Sequence, residues 1–264
     1  MNAVKKTPEP ALSAQEIREN GPSALPEGRE GFVAAPLTRR QRSALGIELY
    51  YRPFRLGSDA LQKRPYHIVK RGMDVVLSLF ALLILWPVLA VFMLAVVIED
   101  PHGSPIFLQK RIGKDGRPFM MYKLRSMYVD AEDQLSDIME QNEALGKAFK
   151  IKNDPRVTKV GRIARKFCVD ELFQLVNILK ADMSIVGPRP PLPREVEQYD
   201  EYDMQRLSMR PGLTCFWQVY PRRHEVSFED WVAMDIKYLI THSLKVDLEL
   251  ILRTFLTIFT GKGD

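Results

Sequence analysis

The stretch VVLSLFALLILWPVLAVFMLAVVI, Val75 to Ile98, runs for 24 residues without a charge. As a helix it would be about 36 Å long, against the roughly 20 residues that cross a bilayer. Buried helices of soluble proteins are rarely this long and this apolar, so the chain is expected to meet a membrane here. Pro87 lies near the middle of the stretch. It removes the hydrogen bond to the Leu83 carbonyl, at a cost of about 3 kcal/mol in an ordinary helix, and it steers Trp86 away from α geometry. Lys63, Arg64, Lys70 and Arg71 precede the stretch, and Lys110, Arg111, Lys114 and Arg117 follow it. Cations on both sides give no positive-inside vote. The residues by themselves favour a mildly kinked spanning helix over a re-entrant hairpin.

Composition narrows the class of protein. The chain has 264 residues, 46% of them hydrophobic, and a formal net charge of +5. That is room for one good-sized domain with attachments, and the basic balance suits anionic partners. Cys168 and Cys215 form neither a disulfide framework nor a metal-site spacing. The four histidines show no zinc-enzyme pattern. The apolar stretch begins too far from Met1 for a signal peptide.

Residues 1–64 are rich in Pro, Gly, Glu and Arg and read as a largely disordered arm, with Leu45 to Leu56 able to dock as a short strand or helix. Residues 65–100 form the membrane segment and 101–264 a cytosolic domain. Within the domain, Ile106 to Met127 reads as a hairpin around Lys-Asp-Gly-Arg. Val129 to Phe149 reads as an amphipathic helix, and KVGRIARK as a short basic helix with Arg162, Arg165 and Lys166 on one face. A further helix is expected from Asp170, a strand-like piece in DMSIVGPRPP, a polar helix from Glu195 to Met209, a short strand in RPGLTCFWQV, and helices over Phe228–Ser243 and Val246–Thr260. The fold class expected is mostly α with a small β element.

The candidate chemistry lies in CVDELFQLVNILKADMSIVGPRPP, Cys168 to Pro191. Asp170 and Glu171 have an ordinary reading as an N-cap and first-turn acid. Their surroundings argue for more. From Lys147 to Lys166 eight Lys or Arg stand against one acid, Asp154. Arg189 follows on a turn stiffened by Pro188, Pro190 and Pro191, and a guanidinium held rigid suits bidentate phosphate binding. Adjacent carboxylates among cations either hold Mg²⁺ on a diphosphate or attack phosphorus.

KRGMDVVLSL, DPHGSPIFLQKRIGKDGRPFMMYKLRSM, NDPRVTKVGRIARKFCVDELFQLVNILKADMSIVGPRPP and RPGLTCFWQV, in that order, resemble the bacterial sugar transferases, the monotopic polyprenyl-phosphate phosphoglycosyl transferases that start exopolysaccharide and O-antigen assembly. The resemblance implies transfer of a sugar-1-phosphate, with hexose-1-phosphate the favoured cargo, from a UDP-sugar to undecaprenyl phosphate, with release of UMP. Asp170 would be the nucleophile and Glu171 the Mg²⁺ ligand. Lys123, Arg125 and Arg165 would contact phosphate, and Arg189, between Pro188 and Pro190, the nucleotide. It also implies a re-entrant helix-break-helix, broken at Trp86-Pro87, which reverses the preference for spanning. The catalytic domain would then lie on the cytosolic face of the inner membrane, with amphipathic helices on the membrane surface. Trp86 stands where that family often has Ser, and Cys168, two residues before the nucleophile, is read as packing. Expected partners are UDP-sugar, undecaprenyl phosphate and membrane lipids, with room for a homodimer and no nucleic acid. Two other classes are a membrane-anchored anion-binding protein without catalysis and a metal-dependent glycosyltransferase that releases UDP.

Overall fold

The computed structural model describes residues 37–51, 55–57, 64–131, 154–221 and 226–259. The expected helix over Val129 to Phe149 lies almost wholly outside them. A first helix, α1 (Arg39–Leu45), is capped by Thr38 and ends at Gly46 in the left-handed region. With Ile47, which is 1% exposed, the segment docks on Ala233 and Met234. Leu37 N–H donates to Asp230.

The apolar stretch lies within α2 (Arg64–Glu99), a single helix of 36 residues with Pro87 inside it. It is long and apolar enough to cross a membrane. The helix continues through Trp86 and Pro87, so the expected break does not appear as a gap in it. One face is buried at two places, through Lys70, Asp74 and Ser78 near the start and through Leu89 and Val96 further on, a spacing of whole helical turns. The opposite face exposes Val76, Phe80, Leu83, Trp86, Leu94 and Ile98.

The same body holds this helix at both ends. Near its start, Arg71 donates to the Ile178 and Leu179 carbonyls at 2.6 and 2.9 Å. Asp74 accepts from Ser184 Oγ at 2.8 Å and Ile185 N–H at 3.1 Å. At its end, Glu99 accepts from Lys159 and Val160 N–H at 2.7 and 2.9 Å, and so caps the next helix. Between these ties Leu89 and Val96 pack with Leu124, Ala164, Val169 and Phe173.

The expected hairpin forms. β1 (Ile106–Ile112) pairs antiparallel with β2 (Pro118–Leu124). Asp115 and Gly116 take the positive φ values its turn requires. The basic helix α3 (Lys159–Lys166) is capped by Thr158. The next helix, α4, covers only Gln174–Leu179. The expectation of a helix from Asp170 is therefore corrected: Val169–Glu171 is a separate 3₁₀ turn. The apolar spacing of Leu172, Leu175, Val176 and Leu179 does not register where one helical form gives way to another.

β3 (Ser184–Val186) pairs parallel with β4 (Gly212–Thr214). The polar helix expected over Glu195–Met209 is also corrected. It is three short pieces, α5 (Pro193–Val196), α6 (Glu201–Met204) and a 3₁₀ turn over Gln205–Ser208. Asp203 and Arg206 are buried in it, so polar composition there does not mean a solvated face. The chain ends in α7 (Phe228–Thr241) and α8 (Leu244–Phe259), close to the expected bounds. α8 exposes Leu248, Leu252, Phe255 and Leu256.

Candidate active site

The Asp170 turn begins with a helix stop. Cys168 has φ 54°, the left-handed region, which suits a residue just past a helix end. Its N–H donates to the Arg165 carbonyl at 3.0 Å, while that of Phe167 donates to Ile163 at 3.2 Å. α3 is thus ended sharply, and the chain turns at once through Val169–Glu171. Val169 is buried against Leu89 and Val96 of α2, which fixes the turn to the long apolar helix.

The two carboxylates do not crown a regular helix. α4 starts three residues after Glu171, with Phe173 before it and no side-chain cap. No regular helix starts at Asp170, and side-chain cations stand around it instead. Lys123, on β2, reaches Glu171 at 4.0 Å. β2 is tied to α4 by Asn177, wholly buried, whose amide accepts from Tyr122 N–H at 2.9 Å and donates to the Met120 carbonyl at 2.7 Å. That crosslink adjoins Lys123 and sets its strand against the Asp170 turn.

Burial is the main influence raising the Asp170 pKa, and the Glu171 charge adds to it. Lys123 and Arg165 oppose them, and the result is about 6. Lys123 is lowered to about 8, first by burial, with Glu171 opposing and the Arg111 and Arg189 charges adding to the drop. Both groups are desolvated and mutually held, the condition in which charge interactions count for most.

A shallow cleft open to solvent adjoins the turn, and its walls include Arg111, Lys123, Glu171, Gln174, Arg189 and Gln218. The proline-rich turn carrying Arg189 is clipped to β4 by Gly187 N–H to Thr214 O at 3.0 Å and Gly212 N–H to Pro188 O at 2.8 Å. A Cβ on Gly212 would collide with the Gly187 backbone, so the close approach requires glycine. Pro188 and Pro190 are buried supports of this turn. The Arg189 guanidinium lies 5.6 Å from the Trp217 ring centre and 5.9 Å from that of Trp231. Those rings are themselves stacked at 4.4 Å. Arg206 covers Trp231 at 4.8 Å and pairs with Asp235 at 2.5 Å, both buried.

Of the expected site residues, Asp170, Glu171, Lys123, Arg165 and Arg189 are brought together. Arg165 stands within electrostatic reach of Asp170, its Nε donating to Ser126 Oγ at 2.9 Å. Arg125 points elsewhere. It is 7% exposed, donates to the Asp100 carbonyl and lies 3.8 Å from the Asp100 carboxylate, so it fastens the turn after α2 rather than lining the cleft. Trp86 stands exposed on the outer face of α2.

Sequence reasoning missed Arg111. It is 4% exposed, donates to the Pro190 carbonyl at 2.9 Å, and shares the cleft with Lys123 and Arg189. Its signal was present, since residues alternate in facing along a strand and Arg111 is the one buried position of β1. Among the described residues no three of His, Cys, Asp and Glu gather as a metal cluster. A cation in the cleft would draw on the Asp170-Glu171 pair.

Comparison with known proteins shows the family. The family model described as bacterial sugar transferase matches residues 65–261. Galactosyl transferase CpsE of Streptococcus agalactiae serotype III (strain NEM316) is 40% identical over 201 residues, which is 76% of this chain and 44% of that protein. Exopolysaccharide production protein ExoY of Rhizobium meliloti (strain 1021) is 36% identical over 217 residues, 80% of this chain and 95% of that protein. The UDP-glucose:undecaprenyl-phosphate glucose-1-phosphate transferase of Escherichia coli (strain K12) is 39% identical over 201 residues, 74% of this chain and 40% of that protein. The chain thus spans less than half the length of the first and third of these relatives and nearly all of the second. With the match reaching from the start of the membrane helix almost to the C-terminus, the chain belongs to the bacterial sugar transferase family.

Proposed function

We propose that the protein transfers a hexose-1-phosphate from a UDP-sugar to undecaprenyl phosphate and releases UMP, at the cytosolic face of the bacterial inner membrane. The observation that carries this reading is Asp170, half-buried in a tight turn, beside a cleft with Arg111, Lys123 and Arg189 on its walls. Three cations in one cleft suit a diphosphate. The relatives' names support the acceptor, since several specify undecaprenyl phosphate, with glucose, galactose or N-acetylgalactosamine as the sugar.

In the first step an Asp170 carboxylate oxygen attacks the phosphorus that carries the sugar. The bond from that phosphorus to the bridging oxygen breaks, and UMP leaves with the electron pair. In the second step an oxygen of undecaprenyl phosphate attacks the same phosphorus. The acyl-phosphate bond breaks, the Asp170 carboxylate is restored, and the product is a sugar-diphospho-lipid. Asp170 near 6 remains ionised at neutral pH yet is more basic than an ordinary carboxylate, as a nucleophile requires. Lys123, Arg111 and Arg189 meet charge on the phosphoryl oxygens, where positioning and electrostatics do most of the work.

The donor set fits Mg²⁺, which takes one or two protein carboxylates and completes its shell with water and substrate phosphates. Glu171, with Asp170 beside it, would hold the ion. When bound it supplies further positive charge to the diphosphate.

The membrane helix is read as re-entrant. Arg71 and Asp74 near one end and Glu99 at the other bind the same domain, which supports both ends lying on one side of the membrane. The exposed apolar faces of α2 and α8 would seat the cleft near the headgroups, where the lipid presents its phosphate.

The test is UMP release from UDP-sugars with the wild type and Asp170→Asn. The expected result is loss of turnover in a folded variant. Without undecaprenyl phosphate, the wild type should show a hexose-phosphate adduct by intact mass. Release of UDP, or wild-type rates from Asp170→Asn, would overturn the reading. Excess EDTA should stop turnover, and full activity in its presence would remove the Mg²⁺ role.

A further inference from the structure

Residues 37–51 precede the stretch matched by the family, which begins at residue 65, yet they are docked closely on the domain. Leu37 and Ile47 are buried and form one apolar cluster with Ala233 and Met234 of α7. Phe216, Trp217 and Tyr220 pack against that cluster. Gln218, the residue after Trp217, stands on the cleft wall. The docked segment therefore lies behind the piece of chain that carries Trp217 and Gln218.

The same segment also braces the second ring of the aromatic pair. Asp230, wholly buried, accepts from Leu37 N–H at 2.9 Å, from Ser227 Oγ at 2.6 Å and from the Tyr51 hydroxyl, and lies 3.5 Å from Arg42 Nε. Leu37, Tyr51 and Arg42 all belong to the segment, and Trp231 follows Asp230 in α7. Trp217 and Trp231 stack with their planes 16° apart, and the Arg189 guanidinium lies 5.6 and 5.9 Å from the two ring centres. Arg189 shares the cleft with Arg111 and Lys123, whose charges repel its own. Among the described residues no carboxylate lies within ion-pair distance of it. The ring pair offers the guanidinium an attractive surface, and residues 37–51 hold that pair from behind.

We propose that residues 37–51, anchored by Ile47, are positioning residues for Arg189. They fix the Trp217–Trp231 pair against which the guanidinium is set, and so raise affinity for the donor without entering the chemical steps. This rests on the cleft binding a UDP-sugar, as read above. A guanidinium held in place before the donor arrives has less freedom to lose on binding.

The experiment uses the full chain in detergent and reads UMP release from UDP-glucose, UDP-galactose and UDP-N-acetylgalactosamine, well below the melting temperature of every variant. Ile47→Asp puts a charge into the buried cluster and loosens the segment. Leu49→Asp, at a position 81% exposed on the same segment, adds the charge without disturbing the docking. For Ile47→Asp the expected result is a KM for the preferred donor raised about 3- to 10-fold, with kcat little changed. Leu49→Asp should keep the wild-type KM. In an Arg189→Ala background, Ile47→Asp should raise KM no further, because residues that act as one unit are not additive. Should Ile47→Asp fail to fold, Ile47→Ala takes its place, with a smaller rise in the same direction. A lowered melting temperature with an unchanged KM would make the segment structural only and overturn the proposal. An equal rise in KM in the Arg189→Ala background, or from Leu49→Asp, would overturn it as well. A wild type that releases no UMP from any of the three donors would remove the reading of the cleft, and the proposal with it.

Discussion

Two charged clusters lie in this domain, one at the base of α2 and one in the cleft, and they are built on opposite terms. At the base of α2, Lys70 lies 3.2 Å from Asp247 and 3.8 Å from Asp74. Tyr66 and Tyr238 donate to Asp247, and Ser184 donates to Asp74. Every charge there has a counter-charge or a hydroxyl, and the three ionised groups are at most 7% exposed. In the cleft, Arg111, Lys123 and Arg189 share one wall carboxylate, Glu171, at 4.0 Å from Lys123. The first cluster is closed on itself and fastens the membrane helix to α8. The second carries positive charge in excess of what the protein neutralises. Matched buried charge builds structure, whereas unmatched charge on an open wall awaits a ligand.

Substitutions on each side sharpen the contrast, beginning with the closed cluster. Lys70→Met leaves Asp74 and Asp247 buried together without their cation, and should cost about 3–5 kcal/mol of stability. Chemical denaturation in detergent measures this. The contrast breaks if Lys70→Met is as stable as the wild type.

Lys123→Met should do the reverse. A partly exposed pair at 4.0 Å contributes at most about 1 kcal/mol to stability, but loss of one phosphoryl-stabilising charge should lower kcat by about 100- to 1000-fold. The same denaturation curves, set beside rates of UMP release, decide it. A variant that unfolds readily while keeping its rate would place Lys123 with the closed cluster.

The pH dependence should be smaller and specific to the cleft. Asp170 is raised from its ordinary 3.8 to about 6, so between those values the folded state holds a proton that the unfolded chain has lost. Its contribution to stability is therefore present below about pH 4 and lost as pH rises through about 6. Asp170→Asn should be the more stable protein above pH 6, by about 1–2 kcal/mol, with the advantage gone at pH 4. Activity should fall about tenfold per unit below pH 6 as the nucleophile is protonated. Melting curves at several pH values and a kcat/KM profile test the two limbs separately.

The weakest effect belongs to the aromatic support of Arg189. Trp231→Leu removes the ring beneath Arg206 and beside Arg189. A cation–π contact is worth about 0.5–2 kcal/mol, so KM for the UDP-sugar should rise about 3- to 10-fold with kcat little changed. A change in kcat alone would show that Arg189 acts on the transition state and not on binding.

Much of this molecule was legible from local pattern. The apolar stretch gave a helix, the Lys-Asp-Gly-Arg turn gave the hairpin, and the Asp170-Glu171 pair stands among cations as its surroundings in sequence suggested. Those readings succeed because periodicity and turn chemistry act over a few residues. The division of the Asp170 region into a 3₁₀ turn and a short helix was not legible, since it follows from Cys168 ending α3 and Val169 being pinned beneath α2. The placement of Arg125 and Arg111 was hidden for a similar reason. The motif containing Arg125 suggested phosphate contact, but packing turned Arg125 toward Asp100 and brought Arg111 to the cleft.

The sequence by itself determined that the chain carries one helix long and apolar enough to cross a membrane, that an Asp-Glu pair stands in a cationic setting, and which elements flank that pair. The tertiary structure alone decided which charges are closed and which remain available. Lys70 finds Asp247 across 177 residues of sequence, and Arg71 finds Ile178 across 107. No local pattern encodes such pairings. They exist because burying one face of a long helix brings its polar residues out of water, where each must find a partner wherever the fold has placed one.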